Sequence, residues 1–366
     1  MPEKLKDLFF TDSFIDQLGD AIRGAYPDFE KEKFTRLVQD ETWETKETKA
    51  KMRHISLCLH RTLPAEYPQA LEILMEVAPS FHGFDAMVFP DYVEVYGLDH
   101  WDLSMHALAH FTQFASSEFA VRPFIAQDSE RAMAYLYVWA EDKNHHVRRL
   151  ASEGCRPRLP WAMALPEFKV DPSPILPVLE KLKDDGTEYV RKSVANNLND
   201  ISKDHSDLVL DICERWYGHS KNTDWIVKHA CRTMLKAGNQ RALLLFGFGD
   251  PTHISVENLR LDKETISIGG DLGYSFELRV ETEEACQVRI ELGVYYVKAR
   301  GKSSRKVFKI SEASFEPGIH LISRKRSFAD QSTRKHYPGQ HGISIIVNGV
   351  EMAKAPFELK EGPLSS

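Results

Sequence analysis

Apolar residues recur at helical spacing through about the first two thirds of the chain, with short polar breaks between the runs. Phe14, Leu18, Ile22 and Tyr26 lie four residues apart and predict one buried face of a helix. Similar patterns predict further helices over 43–63, 67–77, 84–96, 99–114, 131–139, 171–182, 206–217 and 223–237. This part of the chain is therefore predicted to be all-helical.

Three segments of the helical region resemble one another. Each has a polar start, an aliphatic residue, one or two basic residues and then small apolar residues, and they read HHVRRLA (145–151), EYVRKSV (188–194) and DWIVKHA (224–230). The aliphatic anchors Val147, Val190 and Val227 lie 43 and 37 residues apart. That period predicts a solenoid of two-helix repeats of the HEAT type.

A basic residue directly follows each aliphatic anchor. Neighbouring residues on a helix point about 100° apart, so Arg148, Arg191 and Lys228 are expected beside the buried face. Stacked repeats would align these cations on one concave surface, which suits a polyanion backbone. Two interpretations stay open: a DNA-binding surface, or solvated basic residues on a scaffold that binds protein.

The hydrophobic pattern changes near residue 250, where apolar and polar residues begin to alternate. This period of two predicts short strands over 255–261, 274–280, 287–292, 305–310, 318–327, 342–347 and 353–359. Seven short strands with turn residues between them are typical of an immunoglobulin-like β-sandwich. We therefore predict a helical HEAT-like solenoid over 1–250, followed by an immunoglobulin-like β-sandwich over 251–366.

Charge is distributed unevenly along the chain. The net charge of −7 is mild evidence against a simple nucleic-acid binder, although net charge bears more on solubility than on a local groove. Between 298 and 335, however, there are 11 Lys or Arg and only 3 Asp or Glu. A solubilising edge would explain this, but polyanion binding is favoured. The candidate DNA contacts in two loop-like runs are Arg300, Lys302, Arg305, Lys306, Arg324 and Lys325.

The cysteines and the hydropathy pattern indicate where the protein works. Its five cysteines show no paired or metal-like spacing, so reduced thiols in a cytosolic protein are expected. No apolar run approaches the length of a membrane span, and the N-terminus does not read as a signal peptide. We predict a cytoplasmic protein, in a bacterial-type cytosol or nucleoid, without membrane, metal or cofactor and acting as a monomer.

Several residue types that carry chemistry are concentrated in the central repeats. The segment 153–161 combines Glu153, Arg158, Trp161 and two prolines, a mixture that a purely structural loop does not need. Asp200 is placed near the end of its helix, where the macrodipole disfavours an acid. Glu118 has a structural explanation, because Ser116 or Ser117 could cap a helix whose first turn holds it.

Three motifs together are more than a HEAT pattern requires: RRLASEG (148–154), RLPW (158–161) and VRKSVANNLND (190–200). With the layout of the whole chain, they resemble the AlkC branch of the DNA alkylation repair glycosylases, the HEAT-like relatives of AlkD. The resemblance implies excision of cationic N3-alkylated bases, such as 3-methyladenine and 3-methylcytosine, from double-stranded DNA. It also implies that Glu118, Glu153 and Asp200 line the active cleft, with Trp161 as its large aromatic residue.

The residues fit that chemistry. A base alkylated at N3 is a cation and a good leaving group, so carboxylates that stabilise positive charge on the sugar and position water would suffice. Trp161 could hold the cation against its ring face. Phosphate contacts are expected from Arg148, Arg149, Arg158, Arg191 and Lys228. A protein-binding scaffold and a non-catalytic binder of DNA structure remain the alternatives.

Overall fold

A computed structural model describes residues 8–299, 301–330 and 335–362. The predicted DNA contact Arg300 lies outside these ranges. The chain forms two compact units, Met1–Ala230 and Cys231–Ser366. Within the described ranges, none of the helices combines the length and apolar character that crossing a membrane requires.

The first unit is helical throughout, as predicted. Short 3-10 turns at Trp43–Thr45, Ala78–Ser80, Asp85–Met87 and Ser173–Ile175 link some of its helices. The α-helices are α1 (Asp12–Ala25), α2 (Lys31–Val38), α3 (Thr48–His60), α4 (Tyr67–Val77), α5 (Val88–Tyr96), α6 (Trp101–Phe111), α7 (Arg122–Gln127), α8 (Ser129–Trp139), α9 (His145–Gly154), α10 (Pro166–Val170), α11 (Leu176–Leu182), α12 (Glu188–Ile201), α13 (Ser206–Trp216) and α14 (Lys221–Ala230).

The three similar segments form α9, α12 and α14, and these helices pack in that order. Their anchors Val147, Val190 and Val227 are buried, at 2%, 0% and 0% exposure. The Asn144 side chain caps α9 by accepting a hydrogen bond of 2.9 Å from the backbone of His146. The predicted inward face of the repeated helices is therefore confirmed.

Some predicted helix bounds are wrong. The helix expected over 43–63 begins only at Thr48, because a 3-10 turn and the extended residue Lys46 precede it. The helix expected over 223–237 is divided at Cys231 into α14 and α15 (Arg232–Ala237). Neither glycine nor proline marks these breaks in the sequence, so the apolar pattern runs through both of them.

A partly buried charge cluster joins α3 to α5. Arg53 donates to both carboxylate oxygens of Asp91, at 2.9 Å each, and lies 2.7 Å from Glu94. Asp91 is fully buried. Burial raises the pKa of Glu94 to about 7, and Asp91 adds to the rise while Arg53 opposes it. Charging Glu94 therefore costs the folded state free energy.

Glu94→Gln is expected to stabilise the protein at pH 8 relative to wild type but not at pH 5. The folded state holds the Glu94 proton to a higher pH than the unfolded chain does, so wild type loses stability between about pH 4.5 and 7. Glutamine keeps the shape and cannot ionise, so the expected gain at pH 8 is about 1–3 kcal/mol. Thermal unfolding at both pH values measures it, with the exposed Glu72→Gln as control. An equal effect at pH 5 and pH 8 would contradict this explanation.

The second unit begins with two helices, α15 and α16 (Gln240–Leu245), which belong to it through backbone contacts. A Cβ on Gly349 would lie 2.8 Å from the Cα of Gly238, so this approach requires glycine. Asn348 donates to the carbonyl of Gly249 at 2.9 Å. The boundary between the two compact units therefore lies between Ala230 and Cys231. The change from helix to strand occurs near residue 250, as predicted.

The remainder of this unit is a two-sheet sandwich, as predicted. One sheet has the order β1-β3-β6 and the other β2-β8-β7-β4-β5. The strands are β1 (Ile254–Leu261), β2 (Thr265–Ser267), β3 (Asp271–Val280), β4 (Cys286–Val297), β5 (Ser303–Phe315), β6 (Gly318–Ser327), β7 (Gly339–Val347) and β8 (Val350–Lys360). Alternate residues of β3, including Leu272, Phe276 and Leu278, fill the core against β4 and β7. The short strand β2 is the one that the sequence did not indicate.

Candidate active site

Two arginines alternate with the three predicted acids in one continuous series of ion pairs. Arg149 lies 2.9 Å from Glu118 and 3.4 Å from Glu153. Arg156 lies 2.6 Å from Glu153 and 2.8 Å from Asp200. The acids come from the turn before α7, from α9 and from α12. The structure therefore brings together residues that are up to 82 positions apart in the sequence.

These five charged side chains are largely shielded from water. The side chains of Glu153 and Asp200 are 7% and 6% exposed, and that of Glu118 is 18% exposed. Removing charged groups from water is costly unless they are paired, and here each carboxylate has a cationic partner. Low solvent exposure also strengthens the field that these groups exert on anything bound next to them.

Arg149 and Arg156 remain cations despite their burial. Burial alone would lower the pKa of each guanidinium, but the neighbouring carboxylates outweigh it and the net pKa is raised in both. For Arg149 the carboxylates are Glu118 and Glu153, and for Arg156 they are Glu153 and Asp200. These arginines are therefore permanent positive charges that position the acids.

Arg149 lies among the acids of the site, where it pairs with Glu118 and Glu153. The sequence predicts it as a phosphate contact, but its side chain is only 12% exposed and its guanidinium lies 4.9 Å from the centre of the Tyr189 ring. It also donates to the hydroxyl of Ser116 at 2.5 Å. Because its donors serve protein groups, Arg149 acts here as a structural cation of the site.

The prediction that Glu118 lies in the first turn of a helix is wrong. Glu118 belongs to an irregular turn between α6 and α7, and α7 has no side-chain cap. The hydroxyl of Ser117 instead donates to the carbonyl of Leu108 at 3.0 Å. Helix capping therefore does not explain Glu118, whose carboxylate faces Arg149.

The other predicted cations of the repeats also have protein partners. Arg148 pairs with Asp185 at 2.6 Å, and Arg191 donates to the backbone carbonyl of the same residue at 2.7 Å. Arg158 pairs with Asp204 and donates to the carbonyl of Asp200 at 3.2 Å, and Lys228 is half-buried. These arginines are therefore engaged with protein groups in this structure. Their contact with phosphate stays a prediction and would require an exchange of partners.

Trp161 is held in an exposed position by the segments around it. Its backbone adopts the left-handed region, with φ of 64°, and its side chain is 62% exposed. Lys49 donates to the Trp161 carbonyl at 2.7 Å, and the Phe84 ring meets the indole edge-on at 6.3 Å. A large exposed aromatic residue in a constrained backbone is suited to contact a ligand.

The buried side chain of Arg122 also holds the segment that contains Trp161. Arg122 is fully buried and donates to the carbonyls of Gly154 at 2.9 Å and Met163 at 2.6 Å. It therefore links the end of α9, next to Glu153, to the residues that follow Trp161. Burial lowers the pKa of Arg122 to about 10. The sequence gives no signal for this role, nor for that of Lys49 or Phe84.

A cavity of about 360 Å³ lies between Glu118 and Trp161. Its polar lining consists of Lys49, Ser116 and Glu118, and Trp161 forms one side. Its remaining walls are apolar and are formed by Met52, Phe84, Met87, Phe119, Leu159 and Pro160. Among the residues that the structure describes, no group of three or more His, Cys, Asp or Glu is arranged to hold a metal ion.

The predicted cations of the sandwich lie mainly on strands, which agrees with the strands predicted over 305–310 and 318–327 and corrects the loop-like interpretation of the same runs. Arg305 and Lys306 belong to β5 and pair with β4, and Arg324 and Lys325 belong to β6 and pair with β3. Lys302 lies in the turn before β5, where Gly301 has φ of 73°. All these described side chains are exposed, and Arg305 lies 3.3 Å from Glu351.

Some of these cations line a surface groove of about 570 Å³. Arg260, Arg324 and Lys325 line it, together with Tyr274 and Asp262. Asp262 accepts a hydrogen bond of 2.9 Å from the backbone of Gly273, which occupies part of its carboxylate. The groove therefore presents three cations and one engaged acid.

Comparison with known proteins agrees with this architecture in both units. Residues 107–234 match the family model described as a DNA alkylation repair enzyme. Residues 255–361 match the family model of the C-terminal Ig-like domain of the uncharacterised protein YhaZ. The chain is 48% identical over 356 residues to the uncharacterized protein YhaZ of Bacillus subtilis (strain 168), with 97% of this chain and 99% of that protein covered.

A solved structure extends the similarity to an enzyme. The alkylpurine DNA glycosylase AlkC of Pseudomonas fluorescens, bound to DNA containing an abasic site analog, is 38% identical with a TM-score of 0.94. The match covers 98% of this chain and 100% of that one. The fold is thus that of an AlkC-type alkylpurine DNA glycosylase. This fold supports a role of the protein in DNA alkylation repair. The chain belongs to the AlkC branch of the DNA alkylation repair enzymes and carries an immunoglobulin-like domain at its C-terminal end.

Proposed function

We propose that this protein is a monofunctional DNA glycosylase that hydrolyses the N-glycosidic bond of cationic N3-alkylated bases, including 3-methyladenine and 3-methylcytosine. The observation that carries the proposal is the pair Glu153 and Asp200, two nearly buried carboxylates bridged by Arg156. A protein that only binds DNA gains nothing from such acids, because carboxylates repel phosphates. The Pseudomonas AlkC is bound to DNA containing an abasic site analog, and an abasic site is what this reaction would leave in the DNA.

The reaction needs little acid catalysis. The bond between C1′ and the base nitrogen breaks, and its electron pair goes to the base, whose positive charge is thereby neutralised. Positive charge grows on the sugar, where the fields of Glu153 and Asp200 stabilise it. Water adds its oxygen to C1′ and gives a proton to a carboxylate, so a neutral base and an abasic sugar result.

The ion pairs indicate which carboxylate oxygens are available for these steps. Both ion pairs of Glu153 use Oε1, so Oε2 is the oxygen assigned to the water proton. Asp200 directs Oδ2 to Arg156 and Oδ1 to Lys203, at 2.8 Å each. Lys203 is 41% exposed, so it can turn toward a phosphate and leave Oδ1 facing the sugar. We assign Glu118 and Trp161 to contact with the cationic base, through charge and the ring face respectively.

DNA is the expected partner, and the exposed cations of the sandwich would contact its phosphates. If about six cations touch phosphates, the binding constant should fall with salt at a log–log slope of roughly −5. A binding constant that did not change with salt would remove DNA as the partner and leave a protein scaffold as the interpretation.

Arg324→Ala combined with Lys325→Ala is expected to weaken DNA binding equally for all sequences. Both residues line the basic groove, and each lost phosphate contact should reduce the salt slope by about 1. Fluorescence anisotropy with a labelled duplex over a salt series measures both effects. The matched control is Lys263→Ala with Lys360→Ala, which removes two exposed cations of the same domain outside this groove. Equal slopes for the two double variants would contradict a phosphate-binding role for the groove.

Base release tests the proposal itself. Methylated DNA is incubated with the protein, and the released bases are resolved by chromatography. We expect release of 3-methyladenine and 3-methylcytosine without strand cleavage at the abasic product. DNA binding without release would favour the non-catalytic DNA binder instead.

A further inference from the structure

Two cations from different helices hold the backbone of the segment that carries Trp161. Lys49 of α3 donates to the carbonyl of Trp161 at 2.7 Å, and Arg122 of α7 donates to the carbonyl of Met163 at 2.6 Å. Hydrogen bonds from ionised donors are stronger than those between neutral groups. Two carbonyls of this segment, two residues apart, are therefore held by side chains from outside it.

The backbone of Trp161 needs such external support. Its φ of 64° lies in the left-handed region, which the Cβ atom of a tryptophan disfavours. Conformations of this kind persist where the surrounding structure imposes them. The Lys49 ammonium acts on the backbone, whereas the Phe84 ring meets the indole edge-on at 6.3 Å. The backbone and the ring of Trp161 thus have separate supports.

The position of Lys49 is electrostatically unfavourable in two respects. It lies in the first turn of α3, where the helix dipole disfavours a cation. It also lines the cavity beside Glu118 and Trp161, the residues assigned to a cationic base, and like charges repel. Neither helix stability nor attraction to the base therefore explains a lysine at this position. Its hydrogen bond to the Trp161 carbonyl does explain it.

We propose that Lys49 is a positioning residue for base excision, and that its ammonium keeps the Trp161 indole beside Glu118 by holding the Trp161 carbonyl. The inference rests on the proposed glycosylase function. Lys49 acts on the lesion only through the indole. Because a displacement of about 1 Å in a contacting group can slow a reaction strongly, loss of this hydrogen bond should slow excision while Glu153 and Asp200 stay in place.

Lys49→Met keeps an unbranched side chain of similar length and removes the ammonium. We expect it to lower the saturating single-turnover rate of 3-methyladenine release by about tenfold, with the dissociation constant for DNA unchanged within about twofold. Lys49→Arg retains a cationic donor and should recover part of this rate. Lys49 is exposed, so these changes leave the core intact. The matched control Lys33→Met removes an exposed ammonium on α2 that pairs with Glu30 at 2.5 Å, and it should leave the rate unchanged.

A double-mutant cycle distinguishes positioning of the indole from a direct role of the ammonium. If Lys49 acts only through the indole, Lys49→Met should change the rate by less than about twofold in a Trp161→Ala background. Release by Trp161→Ala is measured above spontaneous loss of the base. Glu153 and Asp200 remain in this variant and support the residual reaction.

Three results would overturn this inference and leave the glycosylase function intact. The first is an equal loss of rate from Lys49→Met with and without the indole, together with a salt slope of DNA binding reduced by about 1, which would indicate a phosphate contact. The second is faster release by Lys49→Met, because the ammonium would then only repel the cationic base. The third is a folded Lys49→Arg protein that is as slow as Lys49→Met. Release of no base by wild type would instead overturn the proposed function, and this inference with it.

Discussion

Asp200→Asn is expected to lower single-turnover excision of 3-methyladenine by about 100-fold or more, since one preorganised charge at a reacting centre is typically worth that much. The side chain of Asp200 is 6% exposed, so little solvent screens its field at the sugar. Asparagine keeps the shape and removes the charge. DNA binding should be retained or tightened, because one charge that repels phosphate is lost.

Two controls separate lost chemistry from lost structure. Asp204→Asn removes a carboxylate four residues further along the chain that pairs with Arg158 and is 28% exposed. We expect it to change excision far less than Asp200→Asn, since it does not pair with Arg156. Thermal unfolding of both variants monitors the fold. Wild-type excision by a folded Asp200→Asn protein would show that Asp200 does not participate in the chemistry.

Arg156→Met is expected to lower excision by about 100-fold, since small displacements of catalytic groups carry penalties of that size. Arg156 contacts Glu153 at 2.6 Å and Asp200 at 2.8 Å, and so holds two like charges close together. Without the bridging cation these carboxylates repel each other and move apart, so neither keeps its position at the sugar.

Partial rescue by lysine distinguishes positioning from simple loss of stability. Arg156→Lys keeps the positive charge with a single ammonium in place of the planar fork, so we expect it to restore part of the excision rate. Excision by a folded Arg156→Lys protein that is as slow as that by Arg156→Met would contradict a role for the cation in positioning the two acids.

The fold could be predicted from the sequence where local periodicity reports burial. Val147, Val190 and Val227 mark three packed helices because each sits at the same place in a helical pattern. The alternation within β3 likewise marks one buried face. The three-residue strand β2 is too short to show alternation, and its parallel pairing with β8 depends on contacts distant in sequence. The close approach of Gly238 to Gly349 leaves no local pattern either.

The sequence indicated the acids of the candidate site, but it did not indicate all of the residues that hold the site in place. The motifs around Glu153 and Asp200 identify these residues, and the structure brings them together through Arg156. The hydrogen bond from Lys49 to Trp161 spans 112 residues, and no periodicity links these positions. Arg122 resembles any surface arginine in the sequence, yet it is fully buried beneath the site. The pairing of arginines with acids depends on tertiary distances, so the ion pairs of Arg149 with Glu118 and Glu153 could not be predicted from the sequence.

The most direct test of the proposed chemistry is chromatographic release of methylated bases from N-methylated DNA by wild type, Glu153→Gln and Asp200→Asn. We predict that wild type releases 3-methyladenine and 3-methylcytosine, and that both folded variants bind the DNA while releasing little of either base. If both variants released these bases at the wild-type rate, the chemistry would not lie at the Glu153–Arg156–Asp200 cluster.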